Sequence, residues 1–121
     1  MDDPFFDTNI VIDWLKRNPL ATAELDLYDR HYISRIVWTE VVAGEADVAR
    51  DVVLQALSHF DIVELDARIA TAAASIRFQS RMKLMDALIL ATARVNGGML
   101  ITRNTKDFAA DMPGIRVPYS L

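Results

Sequence analysis

The chain has 121 residues, 52% of them hydrophobic with only 4 Gly and 4 Pro, which is enough apolar material for one core and too little length for two domains. Charged residues make up 25% and interrupt the apolar runs every few positions, which excludes a disordered chain and a membrane span. Cysteine is absent and the net charge is −4, so disulfides and thiolate metal sites are excluded, and any nucleic-acid role has to be local rather than a matter of bulk electrostatics.

One domain over 1–121 is therefore expected. The acidic start Met-Asp-Asp-Pro lacks the basic region of a signal peptide, and with no cysteine the expected address is the cytoplasm. Pro4-Phe5-Phe6 is a short apolar run ending at Asp7, after which Ile10, Val11, Trp14 and Leu15 fall on one helical face, giving strand then helix. Lys16 and Arg17 suit that helix's C-terminus, and Asn18-Pro19 reads as its stop. A second short helix is expected over 20–28, a strand at Tyr32-Ile33, and a helix of about two turns through Ile36, Val37 and Val41, closed by Gly44 and carrying Glu40. Val53, Leu57 and Phe60 predict a helix over 46–59, followed by a strand over 62–65. Asp66 fits the N-cap of a helix that buries Ile69, Ala73 and Ile76. The next helix carries Met85, Leu88, Ile89, Thr92 and Val95 and ends at Gly97-Gly98. Met99 to Thr102 is the clearest strand; a polar loop over 103–107 and a short last strand over 115–117 follow, with Pro118 marking an edge.

Short apolar strands alternating with helices predict an α/β fold, a parallel sheet with helices on both faces. In such sheets ligands collect beyond the carboxyl ends of the strands. Asp7, Asn104 and Asp107 reach that rim by position, with Glu40 one turn into the helix after the second strand. Asp86 does not, because its helix leads into a strand. Each acid also has an ordinary explanation: Asp7 as a helix cap, Asp86 as a first-turn dipole partner, Glu40 as a solvated helix residue. Asp86, however, precedes the apolar run Ala-Leu-Ile-Leu-Ala, where a charge needs a cation. Arg81 and Lys83 are the ion-pair alternative to a metal.

Phe-Phe-Asp-Thr-Asn-Ile-Val-Ile-Asp at 5–13, Thr-Glu-Val-Val-Ala-Gly at 39–44, Met-Asp-Ala-Leu-Ile-Leu-Ala-Thr-Ala at 85–93 and Ile-Thr-Arg-Asn-Thr-Lys-Asp-Phe at 101–108 together resemble the PIN-domain nucleases, in particular the VapC-type toxins of bacterial toxin–antitoxin pairs. Any one segment is weak; the order and spacing of all four carry the resemblance. It implies a PIN-domain-like sheet in which the first strand neighbours the Met99–Thr102 strand, so that Asp7, Glu40, Asp86 and Asp107 converge. It further implies Mg²⁺, with Mn²⁺ as an alternative, bound by Asp7, Glu40 and Asp86, with Asp107 matching the family's fourth acid. Asn9 and Thr102 are implied as supporting groups. Asn104 stands where other branches carry an aspartate, and the segment 80–83 lacks a glycine often found there.

Oxygen donors of this kind suit hard divalent cations, which activate water and leave no need for a side-chain nucleophile. The resemblance thus implies an endoribonuclease toxin with a cognate antitoxin and a homodimeric assembly, acting on single-stranded or looped RNA. Arg103 and Lys106, and after them Arg81 and Lys83, are the candidate phosphate contacts; Arg77 reads as an ordinary solvated helix residue. Trp14 and Trp38 read equally as core or as interface anchors. The competing function from another class is a non-catalytic or weakly catalytic RNA-binding or regulatory module on the same fold. A metal-free ribonuclease using His31 and His59 is disfavoured because both precede strands, opposite the acids. A haloacid-type phosphatase would need an acid where Asn9 stands, and the spacing around Asp66 does not support a receiver domain.

Overall fold

The computed structural model describes residues 2–45 and 48–121. In chain order the elements are β1 (Asp3–Phe6), α1 (Thr8–Leu15), α2 (Pro19–Asp26), β2 (Tyr32–Ser34), α3 (Arg35–Glu40), a π-helical turn (Val41–Glu45), α4 (Arg50–Leu57), β3 (Asp61–Val63), α5 (Ala67–Ser80), α6 (Leu84–Val95), β4 (Gly98–Ile101) and β5 (Ile115–Arg116). The strands form one five-stranded sheet in the order β3-β2-β1-β4-β5, and every pairing is parallel. The fold is α/β, as expected, with β5 at an edge.

β1 is central, which is why Pro4, Phe5 and Phe6 are all buried and its apolar residues run on without alternation. Successive strands leave β1 in opposite directions, β2 and β3 on one side and β4 and β5 on the other. The strand order therefore reverses between β1 and β4, the place where such sheets open a crevice.

Local signals set most boundaries. Asp66 caps α5 through Ile69 N at 2.9 Å, and Ser34 caps α3 through Val37 N at 3.0 Å. Asn18-Pro19 begins a helix rather than merely ending one: the Asn18 side chain accepts from Leu20 N at 2.9 Å and Pro19 takes the first turn of α2. The helix expected to run to Gly44 is shorter, six residues followed by the π-helical turn, in which Gly44 takes φ 107°. The expected start of the next helix at Ala46 lies outside the described residues; α4 begins at Arg50.

α6 departs most from its predicted face. Met85 is 45% exposed, whereas Ala87, Leu90, Ala91 and Ala93 are buried alongside Ile89 and Thr92. The helix is covered on two sides: Ile89, Leu90 and Ala93 join the main core, while Ala87 and Ala91 pack with Ile69 and Ala73 of α5. Small residues on that second side let the two helices approach. Trp14 and Trp38 are partly buried against the main core, and Arg35 lies over the Trp38 ring at 4.7 Å from its centroid. Among the described residues no helix is long and apolar enough to cross a membrane.

The β1–β4 pairing, Asp3↔Gly98 through Phe6↔Ile101, depends on a glycine. A Cβ at position 98 would stand 2.6 Å from Phe5 Cδ1 and 2.7 Å from the Asp3 carbonyl oxygen, closer than carbon atoms pack. Gly98→Ala is expected to cost about 1–3 kcal/mol of stability, read as a lower urea midpoint. An unchanged midpoint would mean that the two strands do not approach this closely.

Candidate active site

The first acid is built by the switch between β1 and β4. Asp7 follows β1, its backbone N–H continues the ladder to the Ile101 carbonyl at 2.9 Å, and its side chain turns into the crevice, 4% exposed. Oδ1 accepts from Thr8 N at 2.8 Å, so Asp7 does cap α1. Oδ2 accepts from Thr102 Oγ1 at 2.7 Å and from Asn9 Nδ2 at 3.1 Å. Thr102, immediately after β4, is fully buried. Burial pushes the Asp7 pKa above the ordinary carboxylate value; the hydrogen bonds from Thr102 and Thr8 work against it, and the Glu40 charge adds to the rise.

Glu40 closes α3 and receives the Thr8 hydroxyl on Oε1. Asp86 stands in the first turn of α6, which packs against α3 and β2 as well as α5. Asp107 lies in the loop after β4, where Asn104 Nδ2 donates to its Oδ2 at 2.8 Å and its own N–H returns to Asn104 Oδ1 at 3.3 Å. A cavity of about 250 Å³ opens between these elements, lined by Asp7, Thr8, Asn9, Ile12, Glu40, Asp86 and Asn104. Asp107 is not part of that lining; it is bonded to Asn104, which is, and its charge acts on Asp86. Sequence position alone could not bring Asp86 here; the packing of α6 does.

The acids are close enough to disturb one another. Asp86 is pushed up to about 6, first by burial, then by the charges of Asp107 and Asp7; Lys83 opposes this and Glu40 adds a smaller push. Lys83 thus acts on Asp86 through its charge, and neither it nor Arg81 forms a salt bridge with it. Among the described residues salt bridges engage Asp13, Glu24, Asp61, Glu64 and Asp66 and none of Asp7, Glu40, Asp86 or Asp107. The donor set is all oxygen, of the kind a hard divalent cation takes, and its uncompensated negative charge fits one. Among the described residues no three acidic or histidine side chains already meet at ligating distance of one point; Asp7, Glu40 and Asp86 line the cavity.

The expected basic residues part company. Lys106, Lys83 and Arg81 are exposed. Arg103 has its guanidinium committed to Asp13, Nε to Oδ2 at 2.7 Å and Nη2 to Oδ1 at 3.0 Å, which revises the expectation that this side chain faces a phosphate. Arg77 is not simply solvated: Nη1 donates to the carbonyls of Arg81 and Met82 at 3.0 and 2.9 Å. It thereby braces the connection from α5 to α6, where, in a segment without glycine, Arg81 takes a left-handed φ of 60°. Neither histidine lines the cavity; His31 Nε2 pairs with the Leu25 carbonyl at 2.7 Å, and His59 meets the Trp14 ring edge-on at 6.3 Å.

Thr8, Asp13 and Glu24 were not singled out by sequence. Thr8 lies inside the Asp-Thr-Asn tripeptide, so its hydroxyl was in view. Asp13 closes the 5–13 segment without a role of its own there, and Glu24 lies in no motif segment; both are buried acids whose arginine partners stand 90 and 92 positions away, and no local pattern reveals those partners.

The PIN-domain family model matches residues 5–111. No curated protein matches the chain. Among solved structures, a toxin–antitoxin complex from Klebsiella pneumoniae contains a chain that is 39% identical at a TM-score of 0.90, over 98% of this chain and 100% of that one. DNA-bound VapBC from Salmonella typhimurium gives 25% identity and a TM-score of 0.78 over 96% of each chain. FitAcB from Neisseria gonorrhoeae shares the fold at 24% identity, with a TM-score of 0.79 over 98% of this chain and 99% of that one.

Asp86 holds its proton more tightly folded than unfolded, so the native state binds the extra proton between the ordinary value of 3.8 and about 6. Stability therefore falls as pH rises through that window, and the penalty is complete above it. Asp86→Asn, which carries no charge there, is expected to gain in Tm on the wild type steadily from about pH 4 to about pH 6.5 in chelator. A Tm difference independent of pH would show that neither burial nor the neighbouring charges raise the Asp86 pKa.

Proposed function

Because the chain belongs to the PIN-domain family, we propose that it is the toxin of a toxin–antitoxin pair and acts as a metal-dependent endoribonuclease through Asp7, Glu40, Asp86 and Asp107. The observation that carries this is the contrast among its buried acids. Asp13 and Glu24 each receive an arginine fork and a tyrosine hydroxyl, whereas Asp7, equally buried, receives only neutral donors. A protein that neutralises its structural acids with arginine leaves these carboxylates open to a cation.

Asp7, Glu40 and Asp86 would hold Mg²⁺ or Mn²⁺, with Asp107 contributing its charge beside Asp86. The bound ion would supply an activated water and charge stabilisation for phosphodiester hydrolysis. Thr102 and Asn9 fix the Asp7 carboxylate and Thr8 fixes that of Glu40, so the ligands are oriented before anything binds. Lys106, Lys83 and Arg81, exposed around the third and fourth motifs, provide the local positive charge that a chain of net charge −4 needs near an RNA backbone. The 39% identity to a member of a toxin–antitoxin complex supports the toxin role and an antitoxin partner.

The test is cleavage of a structured RNA pool by wild type and Asp86→Asn, each with Mg²⁺, Mn²⁺ or EDTA. Wild type is expected to cut only with metal, and the variant to lose roughly a hundredfold or more, the scale on which one preorganised electrostatic group acts. Cutting in EDTA, or an equally active variant, would overturn the carboxylate mechanism. Retained RNA binding without cutting by the wild type under all conditions would favour the non-catalytic RNA-binding module instead.

The same proposal includes a homodimer. Phe78 of α5 is 89% exposed, and Leu84 and Met85 at the start of α6 are 54% and 45% exposed, an apolar surface that association would cover. Light scattering at micromolar concentration is expected to give twice the chain mass of 13.6 kDa. The single-chain mass would remove the dimer from the proposal.

A further inference from the structure

Asp13 is 6% exposed and lines no part of the cavity, yet its carboxylate is fully engaged. Beyond the two bonds from the Arg103 guanidinium, the Tyr119 hydroxyl donates to Oδ2 at 2.8 Å. Burial alone accounts for a paired carboxylate. It does not account for where this pair is attached. Arg103 lies between Thr102, which donates to Asp7, and Asn104, which donates to Asp107.

Asn9 and Asp13 are four positions apart on α1 and so share a face one turn apart. Both grip residue 103. Asp13 takes its guanidinium, and Asn9 Oδ1 accepts its backbone N–H at 3.1 Å. That second bond decides which way the Asn9 amide faces. With Oδ1 held by an N–H, Nδ2 points to Asp7 Oδ2 at 3.1 Å and to Thr102 Oγ1 at 3.3 Å. Turned over, the amide would set its oxygen against the Asp7 carboxylate and its NH₂ against the Arg103 N–H, acceptor on acceptor and donor on donor. Any residue at 103 offers a backbone N–H. The backbone on either side is tied by the Thr102 N–H to the Arg116 carbonyl and by the Asn104 N–H to Thr102 Oγ1, both at 3.0 Å; a side chain that reaches Asp13 ties residue 103 itself to α1.

We propose that Asp13, Arg103 and Tyr119 form a positioning clamp, which holds the Arg103 N–H against Asn9, fixes the Asn9 amide and through it orients the Asp7 carboxylate toward a divalent cation. The last of these steps rests on the metal-site reading above; the clamp on Asn9 stands without it.

The test follows two signals in wild type, Arg103→Gln, Asp13→Asn and Tyr119→Phe: the Asn9 side-chain NH₂ in ¹⁵N-resolved NMR, and Mn²⁺ affinity by calorimetry. Glu24→Gln is the control, because it breaks a second buried acid–arginine–tyrosine set, Glu24 with Arg116 and Tyr28, whose side chains do not bond to Asn9 or Asp7. In the wild type the Asn9 NH₂ is expected to be shifted from free-amide positions and slow to exchange. Arg103→Gln and Asp13→Asn should return it to free-amide behaviour and weaken Mn²⁺ binding about tenfold, the lower range for removing a support behind a metal ligand. Tyr119→Phe, which deletes one hydroxyl, should give a smaller change of the same kind and decides the matter if the other two fail to fold. Arg103→Lys, keeping the charge without the fork, should restore part of both signals. Glu24→Gln should lower Tm while leaving both unchanged. An Asn9 signal that stays put in all three clamp variants, or that moves as far in Glu24→Gln, overturns the clamp. A wild type that binds no Mn²⁺ while Asn9 still responds overturns the metal-site reading and upholds the clamp.

Discussion

The parallel pairing of β1 with β4 is the contact from which the rest of the site follows. These strands are separated by some ninety residues of chain, yet their register places Phe6 opposite Ile101, and one further hydrogen bond from the Asp7 N–H to the Ile101 carbonyl carries the pairing to the lip of the sheet. Asp7 and Thr102 then leave adjacent strands side by side. Their side chains meet because the ladder has already fixed their backbones, and the 2.7 Å bond between them adds direction. The close approach of Gly98 to Phe5 and Asp3 is the packing requirement that this register imposes at the other end of the same pair. Since strand order also reverses here, the crevice and its first acid have a common origin.

Carboxylates are buried in this chain in different ways, and the differences separate scaffold from site. Asp13 and Glu24 receive bidentate arginines and a tyrosine hydroxyl each, so their charge is cancelled within the fold and they fasten the segment after β4 and the chain's last residues to α1 and α2. Asp7 is held by a threonine hydroxyl, an asparagine amide and a backbone N–H, which orient a carboxylate without neutralising it. Asp86 lacks a salt bridge among the described residues and is held up in pKa by burial and by Asp107 and Asp7. Charge that the fold leaves uncancelled at a crevice is a cost in stability whose natural recipient is a cation. On the proposed function the overall negative charge of the chain is no obstacle to a phosphate substrate, since a cation held by the acids would set the local field there.

Arg103 shows how scaffold and site are joined. By sequence it is a cation in a loop beside an acid-lined rim, which is a reasonable description of a phosphate contact. By structure its guanidinium is bound by Asp13, while its backbone N–H meets Asn9. The cations left facing solvent near the site are Lys106, Lys83 and Arg81.

How much of this was legible beforehand follows the range of the interactions concerned. The helix start at Asp66, the apolar run of β1, the edge position of β5 and the alternation that makes the fold α/β are written in a few neighbouring residues, because capping, periodicity and proline act over one or two turns of chain. The four motif segments carried the family in their order, and the match over 5–111 bears that out. Less legible was anything that a distant partner decides. The buried side of α6 was misread at Met85 and at its alanines because two surfaces cover that helix, and a single hydrophobic stripe describes only one. Asp86 could not be placed at the rim from its position, since only the packing of α6 against α3 and β2 carries it there. Which arginine is spent on a buried acid and which cations stay free was undecided for the same reason: the residues concerned meet across some ninety positions of sequence. Sequence by itself determined the elements, the family and the candidate acids, all local or collinear properties; tertiary structure alone decided which of those residues face one another, because contact between distant side chains exists only once the strand order has brought them together.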